Sequence, residues 1–296
     1  MILITGLTGR SGSAFYDVLC RERYPEKIRV VVRETTNRDQ FRHTPLDLEF
    51  AVGDIRDSAF LDRAMEGCET VFHIANKEII RPLAEAAAKA PSVKNVILVS
   101  STIVYSQYYP RLHLREDEQY CRQLFERRGI KYLFIRPTMI FGLTSDKNIS
   151  QFIRWFLKYP VFPIVKKGRA SIQPVSRLDV AEAYWMVLRA FPEIEKTEYV
   201  VSGEASMSLL ELFQTLCRLS GRKVRFFNVP FALAKAGVDG VWLLSGGKCD
   251  YREKLDRLTE DRAYPHDEIT ADLGYRPGAF EERVLPLIAQ VKAEKS

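Results

Sequence analysis

The chain has 296 residues, 46% hydrophobic and 28% charged, which is ordinary for a folded globular protein and long enough to bury a large core. The net charge of +6 sits in short groups, Arg127–Arg128 and Lys166, Lys167 and Arg169, with no basic stripe interleaved with aromatics, so nucleic-acid binding is not expected. No run of about 18 uncharged apolar residues occurs, so no membrane span is expected. The run that comes nearest, Phe226 to Leu244, is interrupted by Lys235 and Asp239; it reads as a packed helix of a second lobe, with an amphipathic surface helix as the other reading. Cys20, Cys68, Cys121, Cys217 and Cys249 are far apart, odd in number and form no C-x-x-C pair, which fits reduced thiols in a cytoplasmic protein. No His/Cys cluster has metal-ligand spacing. The chain enters a strand at once, and no signal or transit segment is expected.

Ile2, Leu3 and Ile4 read as a buried parallel strand, followed by Gly6, Gly9 and Gly12 and then a helix with Ala14, Phe15, Val18 and Leu19 on one face. Strand, glycine turn and helix in this order suit a pyrophosphate. Gly6 permits the turn, Gly9 admits the phosphate, Gly12 lets the helix pack close, and the helix N-terminus faces the charge. Thr8 and Ser11 lie in the same loop. Pro25 ends the helix, and Ile28 to Val32 is the second strand. An NAD site usually has an acid at that strand's end, to hold the ribose hydroxyls. Here Val32 occupies the position and Arg33 follows, with Glu34 one step late. Arg33 and Arg10 are expected to grip a 2′-phosphate, so NADP is preferred and NAD is the alternative.

Leu48 to Val52 is the third strand, and Asp54-Ile55 after it suits an adenine amino group or, equally, a turn cap. A helix spans Asp57 to Met65. The fourth strand is Thr70 to Ile74, with His73 read as a core histidine, and Ala75-Asn76 beyond it are small enough to lie against a cofactor. An alanine-rich helix covers Ile79 to Ala90. Asn95 to Val99 is the fifth strand, with Ser100, Ser101 and Thr102 at its carboxyl end, where open α/β sheets bind ligands. Glu116 to Arg128 is a helix, Tyr132 to Ile135 the sixth strand, and Pro137 follows it. The alternation then loosens. Helices are expected at 148–159, 180–191 with Asp179 as N-cap, and 208–220 capped by Ser208; strands are expected at 161–165, 198–201 and 224–229. The order implies a doubly wound parallel α/β sheet, a Rossmann domain over 1–165 plus parts of 170–202, and a smaller lobe from about 143–170 and 203–296.

Thr5-Gly-Leu-Thr-Gly-Arg-Ser-Gly12, Gly53-Asp54-Ile55, His73-Ile-Ala75, Val99-Ser-Ser101, Arg136-Pro137 with Gly142, Gln173-Pro-Val175, Arg177-Leu-Asp179 and Leu273-Gly-Tyr-Arg-Pro277 occur in this order. Together they resemble the extended short-chain dehydrogenase/reductase superfamily, in its NAD(P)-dependent epimerase/dehydratase branch. Arg136 to Gly142 with Asp146 to Asn148 is similar to its nucleoside-diphosphate-sugar epimerase-like group. The resemblance implies hydride transfer at a carbon bearing a hydroxyl. A tyrosine would act as acid/base, a lysine four residues later would lower its pKa, and a serine would hold the substrate oxygen. Ser101 matches the serine. The Y-x-x-x-K pair is absent, so Tyr109 is the candidate acid/base. His113, or Arg111 or Arg115, would stand in for the lysine, with Tyr105 and Tyr108 as fallbacks.

Thr102, Asn148, Gln173 and Arg177 are the expected substrate contacts, and the Lys166-Lys-Gly-Arg169 run reads as a solvated turn. The expected partner is a small molecule, a nucleotide sugar or a similar hydroxyl or carbonyl compound. A homodimer through the helices at 79–90 and 116–128 is the family-like assembly. The missing lysine keeps open a sensor or scaffold that binds NADP(H) without turnover, and an atypical NADPH-dependent carbonyl reductase is a third reading.

Overall fold

The computed structural model describes residues 1–75, 79–108, 113–146 and 148–294. The first half alternates strand and helix: β1 (Ile2–Thr5), α1 (Arg10–Arg21), β2 (Ile28–Val32), β3 (Leu48–Val52), α2 (Ser58–Met65), β4 (Thr70–His73), α3 (Ile80–Lys89), β5 (Asn95–Val99), α4 (His113–Arg128) and β6 (Lys131–Pro137). The second half is more irregular: β7 (Ile140–Phe141), α5 (Ile149–Lys158), β8 (Val161–Val165), β9 (Ser171–Ile172), β10 (Val175–Ser176), α6 (Arg177–Ala190), β11 (Glu198–Val201), β12 (Met207–Ser208), α7 (Leu209–Leu219), β13 (Arg225–Val229), α8 (Phe231–Leu244), α9 (Arg252–Arg257), α10 (Asp267–Leu273) and α11 (Phe280–Ala293).

Seven parallel strands form one sheet in the order β11-β6-β5-β4-β1-β2-β3. From β1 the chain winds outward through β2 to β3, then crosses back to lay β4 on the other side of β1. The carboxyl ends of β1 and β4 therefore diverge and open a crevice, the usual ligand position in a doubly wound sheet. Apolar strands buried on both faces need cover on both sides. On one face, α1 and α6 pack with Phe15, Phe72 and Tyr184 in mutual contact at 5.2–5.6 Å between ring centroids. On the other face lie α2, α3 and α4. A third core joins α5, α7 and α11 around Phe156, Phe213 and Leu287. His73 is buried in β4, with its Nδ1 2.7 Å from Thr5 Oγ1.

Two local expectations change. Ser176, not Asp179, caps α6, by accepting from the Leu178 N–H. Asp179 lies inside the first turn and accepts from Arg283 Nη2 at 2.6 Å and from the Gly278 N–H. It thereby ties α6 to the segment entering α11; burial raises its pKa against the pull of Arg283. The apolar run after β13 does not form a packed helix. No residue of α8 is buried, and Leu233, Leu243 and Leu244 are 66%, 72% and 89% exposed. The five cysteines are free: Cys68, Cys121 and Cys217 buried, Cys20 half-buried and Cys249 exposed.

Candidate functional site

The turn between β1 and α1 is built on close backbone approach. Gly6 has φ +78°, and a Cβ there would stand 2.6 Å from Ala75 N. A Cβ on Gly12 would stand 2.0 Å from the Gly6 carbonyl oxygen, while the Gly9 N–H donates to that same oxygen at 2.8 Å. Gly9 is the N-cap of α1, and no side chain caps the helix. Its first amide donors are thus left to a ligand. The turn fits a pyrophosphate: three glycines keep Cβ atoms out of its closest backbone approaches, and a helix N-terminus closes it.

From this turn a groove of about 380 Å³ runs outward, with Thr8, Arg33, Thr36, Asp54, Ile55 and Arg56 among its walls. The Arg33 N–H donates to Thr36 Oγ1 at 3.1 Å, and Asp54 Oδ1 accepts from the Arg56 N–H at 2.9 Å, which turns the chain back toward the groove. Arg10 Nη2 donates to the Ser145 carbonyl at 3.2 Å, and Arg10 and Arg33 both line a second, larger cavity. The second cation of the groove is Arg56, which sequence reasoning passed over because it follows the Gly-Asp-Ile motif rather than β2.

Inward from the same turn lies a cavity of about 1020 Å³. Ser11, Ala75, Ser101, Thr102, Asn148 and Arg177 are on its wall. Ser101 caps a short 3₁₀ turn, accepting from the Ile103 N–H at 3.3 Å, and Thr102 Oγ1 donates to the Pro137 carbonyl at 3.4 Å. Asn148 precedes α5, its backbone N–H held by Asp146 Oδ1 at 3.0 Å. Gln173 is turned away from the cavity: it is 7% exposed, and its Nε2 donates to the Gly203 carbonyl at 2.7 Å. Arg177 lies over Gly142 and donates to the Arg10 carbonyl and Ser13 Oγ at 3.4 and 3.3 Å, so it braces the nucleotide loop. The His113 side chain is 87% exposed at the start of α4, 3.7 Å from Glu116, and is absent from the cavity wall. Asn76 and Tyr109 lie outside the described residues.

Behind Ser100 and Ser101 sits a charged cluster. Arg136 Nη1 donates to Glu118 Oε1 at 2.9 Å and Nη2 to Glu198 Oε2 at 3.1 Å; Ser100 also bonds Glu118, and Arg122 bonds Glu198. Burial would lower the Arg136 pKa, but Glu118 outweighs it and the net shift is upward. Burial would likewise raise Glu198, and Arg136 brings it below the usual carboxylate range. Tyr105 donates to Glu198 Oε1 at 3.0 Å and lies 5.2 Å from the Arg136 guanidinium; burial pushes its phenol up to about 12. Arg115 is spent on the carbonyls of Val104 and Ser106.

The far wall brings residues that sequence reasoning missed: Arg257, Arg262 and Tyr264. Arg262 arrives there because its N–H bonds the Ser171 carbonyl at 2.6 Å, beside β9. The buried Nε atoms of Arg257 and Arg262 have no hydrogen-bond partner among the described residues. Burial, reinforced by Arg257, pulls the Arg262 pKa down to about 10. Nothing in the local spacing of these arginines sets them apart from a surface run.

The model of the NmrA-like family matches residues 1–243. A Streptomyces griseus (4-alkanoyl-5-oxo-2,5-dihydrofuran-3-yl)methyl phosphate reductase is 28% identical over 245 residues, 80% of each chain. Quinone oxidoreductase 2 of Escherichia coli is 26% identical over 255 residues, 83% of this chain and 84% of that one. Among solved structures, a dTDP-glucose 4,6-dehydratase from Streptomyces venezuelae superposes with a TM-score of 0.72 at 19% identity, over 99% of this chain and 97% of that one. That likeness is one of fold.

Proposed function

The chain belongs to the NmrA-like family, and from that membership we propose that it is an NADPH-dependent reductase of a small anionic carbonyl, enone or quinone compound. The observation that carries this reading is the single cavity running from the glycine loop past Ser101 and Thr102 to Arg257 and Arg262. Bound NADPH supplies the hydride. Gly6, Gly9 and the N-terminus of α1 receive its pyrophosphate, and Arg33 and Arg56 meet its 2′-phosphate. Arg257 and Arg262 hold an anionic group of the substrate, which offers an acceptor to their buried, unpartnered Nε atoms. Ser101 donates to the substrate oxygen. The proton that accompanies the hydride comes from a hydroxyl, with Tyr264 on the cavity wall and Tyr109 as the two candidates.

The base that each reaction needs favours reduction over epimerisation. Epimerisation and dehydration begin by drawing a proton from an alcohol, which calls for a phenolate steadied by a cation. α4 contains no lysine, and Tyr105 is engaged by Glu198. Reduction asks only for a proton donor. The two curated relatives named above carry reductase or oxidoreductase names, and one of them acts on a phosphate ester. A nucleotide sugar would offer its diphosphate to the same arginines and remains the second reading.

The test is NADPH consumption with quinones, with enones bearing phosphate or carboxylate, and with sugar nucleotides. Turnover is expected with an anionic enone or quinone, and Arg262→Met should raise KM about tenfold or more with little change in kcat. Activity indifferent to Arg262→Met, Ser101→Ala and Tyr264→Phe overturns the site. Epimerised sugar nucleotide overturns the reductase reading. Tight NADPH binding without any turnover identifies a sensor or scaffold.

A further inference from the structure

α8 reverses the usual arrangement of a surface helix. At about 100° per residue, Leu233, Ala236, Gly237, Gly240, Val241, Leu243 and Leu244 share its outer half, which carries no charge. Lys235, itself exposed, and Asp239 fall on the opposite half with Trp242, which stacks on Arg252 at 4.3 Å. A helix in water keeps its charges outside and its leucines in. Here Leu244, Leu243 and Leu233 are the most exposed of the described large hydrophobic residues.

The surroundings are basic. Between residues 221 and 250 stand five cations, Arg222, Lys223, Arg225, Lys235 and Lys248, against Asp239 and Asp250. The turn after β8 adds Lys166, Lys167 and Arg169, all exposed. That turn is fixed beside the base of α8. β8 pairs with β13, the Lys167 N–H donates to Asn228 Oδ1 at 2.7 Å, and Lys166 Nζ lies 5.4 Å from the Phe231 ring.

We infer that α8 is an interfacial anchor that docks this protein on an anionic phospholipid bilayer, its leucines entering the acyl boundary while the basic collar meets the headgroups. At ~1.5 Å per residue its 14 residues span about 21 Å, short of a hydrocarbon core of ~30 Å, so it lies along the surface. No described helix is long and apolar enough to cross a membrane. A second copy fits less well. It would bring two basic collars together, and one short helix face offers less than the ~800 Å² per partner of a stable interface. The inference stands apart from the reaction proposed above.

The test is co-sedimentation of the full chain with vesicles of equimolar phosphatidylcholine and phosphatidylglycerol, beside phosphatidylcholine alone, with the oligomeric state measured in parallel. The intact protein should pellet with the anionic vesicles and be weakened by salt. Leu243→Glu/Leu244→Glu, two exposed positions that leave the core untouched, should cut that binding by about tenfold or more. Lys235→Glu/Lys248→Glu should weaken it on anionic vesicles. Unchanged thermal melting of each variant shows that folding is intact. No binding by the intact protein, binding that the leucine pair does not alter, or a solution dimer that the leucine pair splits would each overturn the inference.

Discussion

Arg136, at the end of β6, is 3% exposed between two carboxylates and lies 2.8 Å from Glu118 Oε2. Glu118 is 5% exposed, with Ser100 as its other hydrogen-bond partner. Arg136→Leu leaves Glu118 charged where water does not reach. Breaking a buried pair from one side costs about 3–5 kcal/mol, a large share of the ~5–15 kcal/mol that holds a domain together. For a chain of this size the melting temperature should fall on the order of 10 °C. Scanning calorimetry at neutral pH reads the loss. Three further measurements identify its cause. Arg136→Leu/Glu118→Leu should recover much of the stability, since the stranded charge is gone. Glu118→Gln should cost less than Arg136→Leu, because Arg136 keeps Glu198. The Arg136→Leu deficit should shrink toward acid pH, where the lone carboxylate takes up a proton. A loss within ~1 kcal/mol for Arg136→Leu, or a double variant no better than the single, would refute the reasoning.

Gly12→Ala sets a methyl 2.0 Å from the Gly6 carbonyl oxygen, backbone against backbone; the loop must move, and calorimetric titration should show NADPH affinity down by about tenfold or more. Arg33→Ala/Arg56→Ala should lower NADPH affinity by roughly ten- to a hundredfold while leaving NADH nearly unchanged; an equal loss for both cofactors would argue against a 2′-phosphate site. Burial holds the His266 imidazole below its ordinary 6.5, with Ser202 Oγ 3.0 Å from Nδ1. Below about 6.5 the unfolded chain therefore binds more protons than the folded one, so this contribution is full above that pH and is lost as pH falls. His266→Gln should flatten the acid side of the melting profile.

The Rossmann half was readable because its signals are local. Ile28–Val32 and Asn95–Val99 are short apolar runs that a parallel sheet buries almost whole, Leu48–Val52 is a half-buried run at the sheet's edge, and the bounds of all three agree with the structure. Elsewhere the outcome rests on distant partners. Ser176 and Asp179 are both competent caps, and what draws Asp179 inward is Arg283, on another helix. Gln173 sits in a motif that suggests substrate, yet Gly203 claims its side chain, while Arg177 of the same motif stands on the cavity wall and also bonds the nucleotide loop. Arg262 reaches the cavity through pairing beside β9, and Arg257 from the end of α9. An apolar stretch such as Phe231–Leu244 announces that something will cover it, not whether that cover is the protein's own core.

The distribution of thiols gives the molecule a reactivity order. Burial pushes Cys121 up to about 12 and Cys217 up to about 11, and raises Cys68 as well, so their nucleophilic thiolates are scarce as well as shielded. Cys20 is half-covered, 3.8 Å from Thr44 Oγ1. Cys249 alone of the five is exposed, five residues past the end of α8. A maleimide used sparingly should therefore label Cys249 first in the unaltered chain, and an environment-sensitive fluorophore there would sit beside the exposed leucines, where its emission reads directly whether they are in water or in lipid.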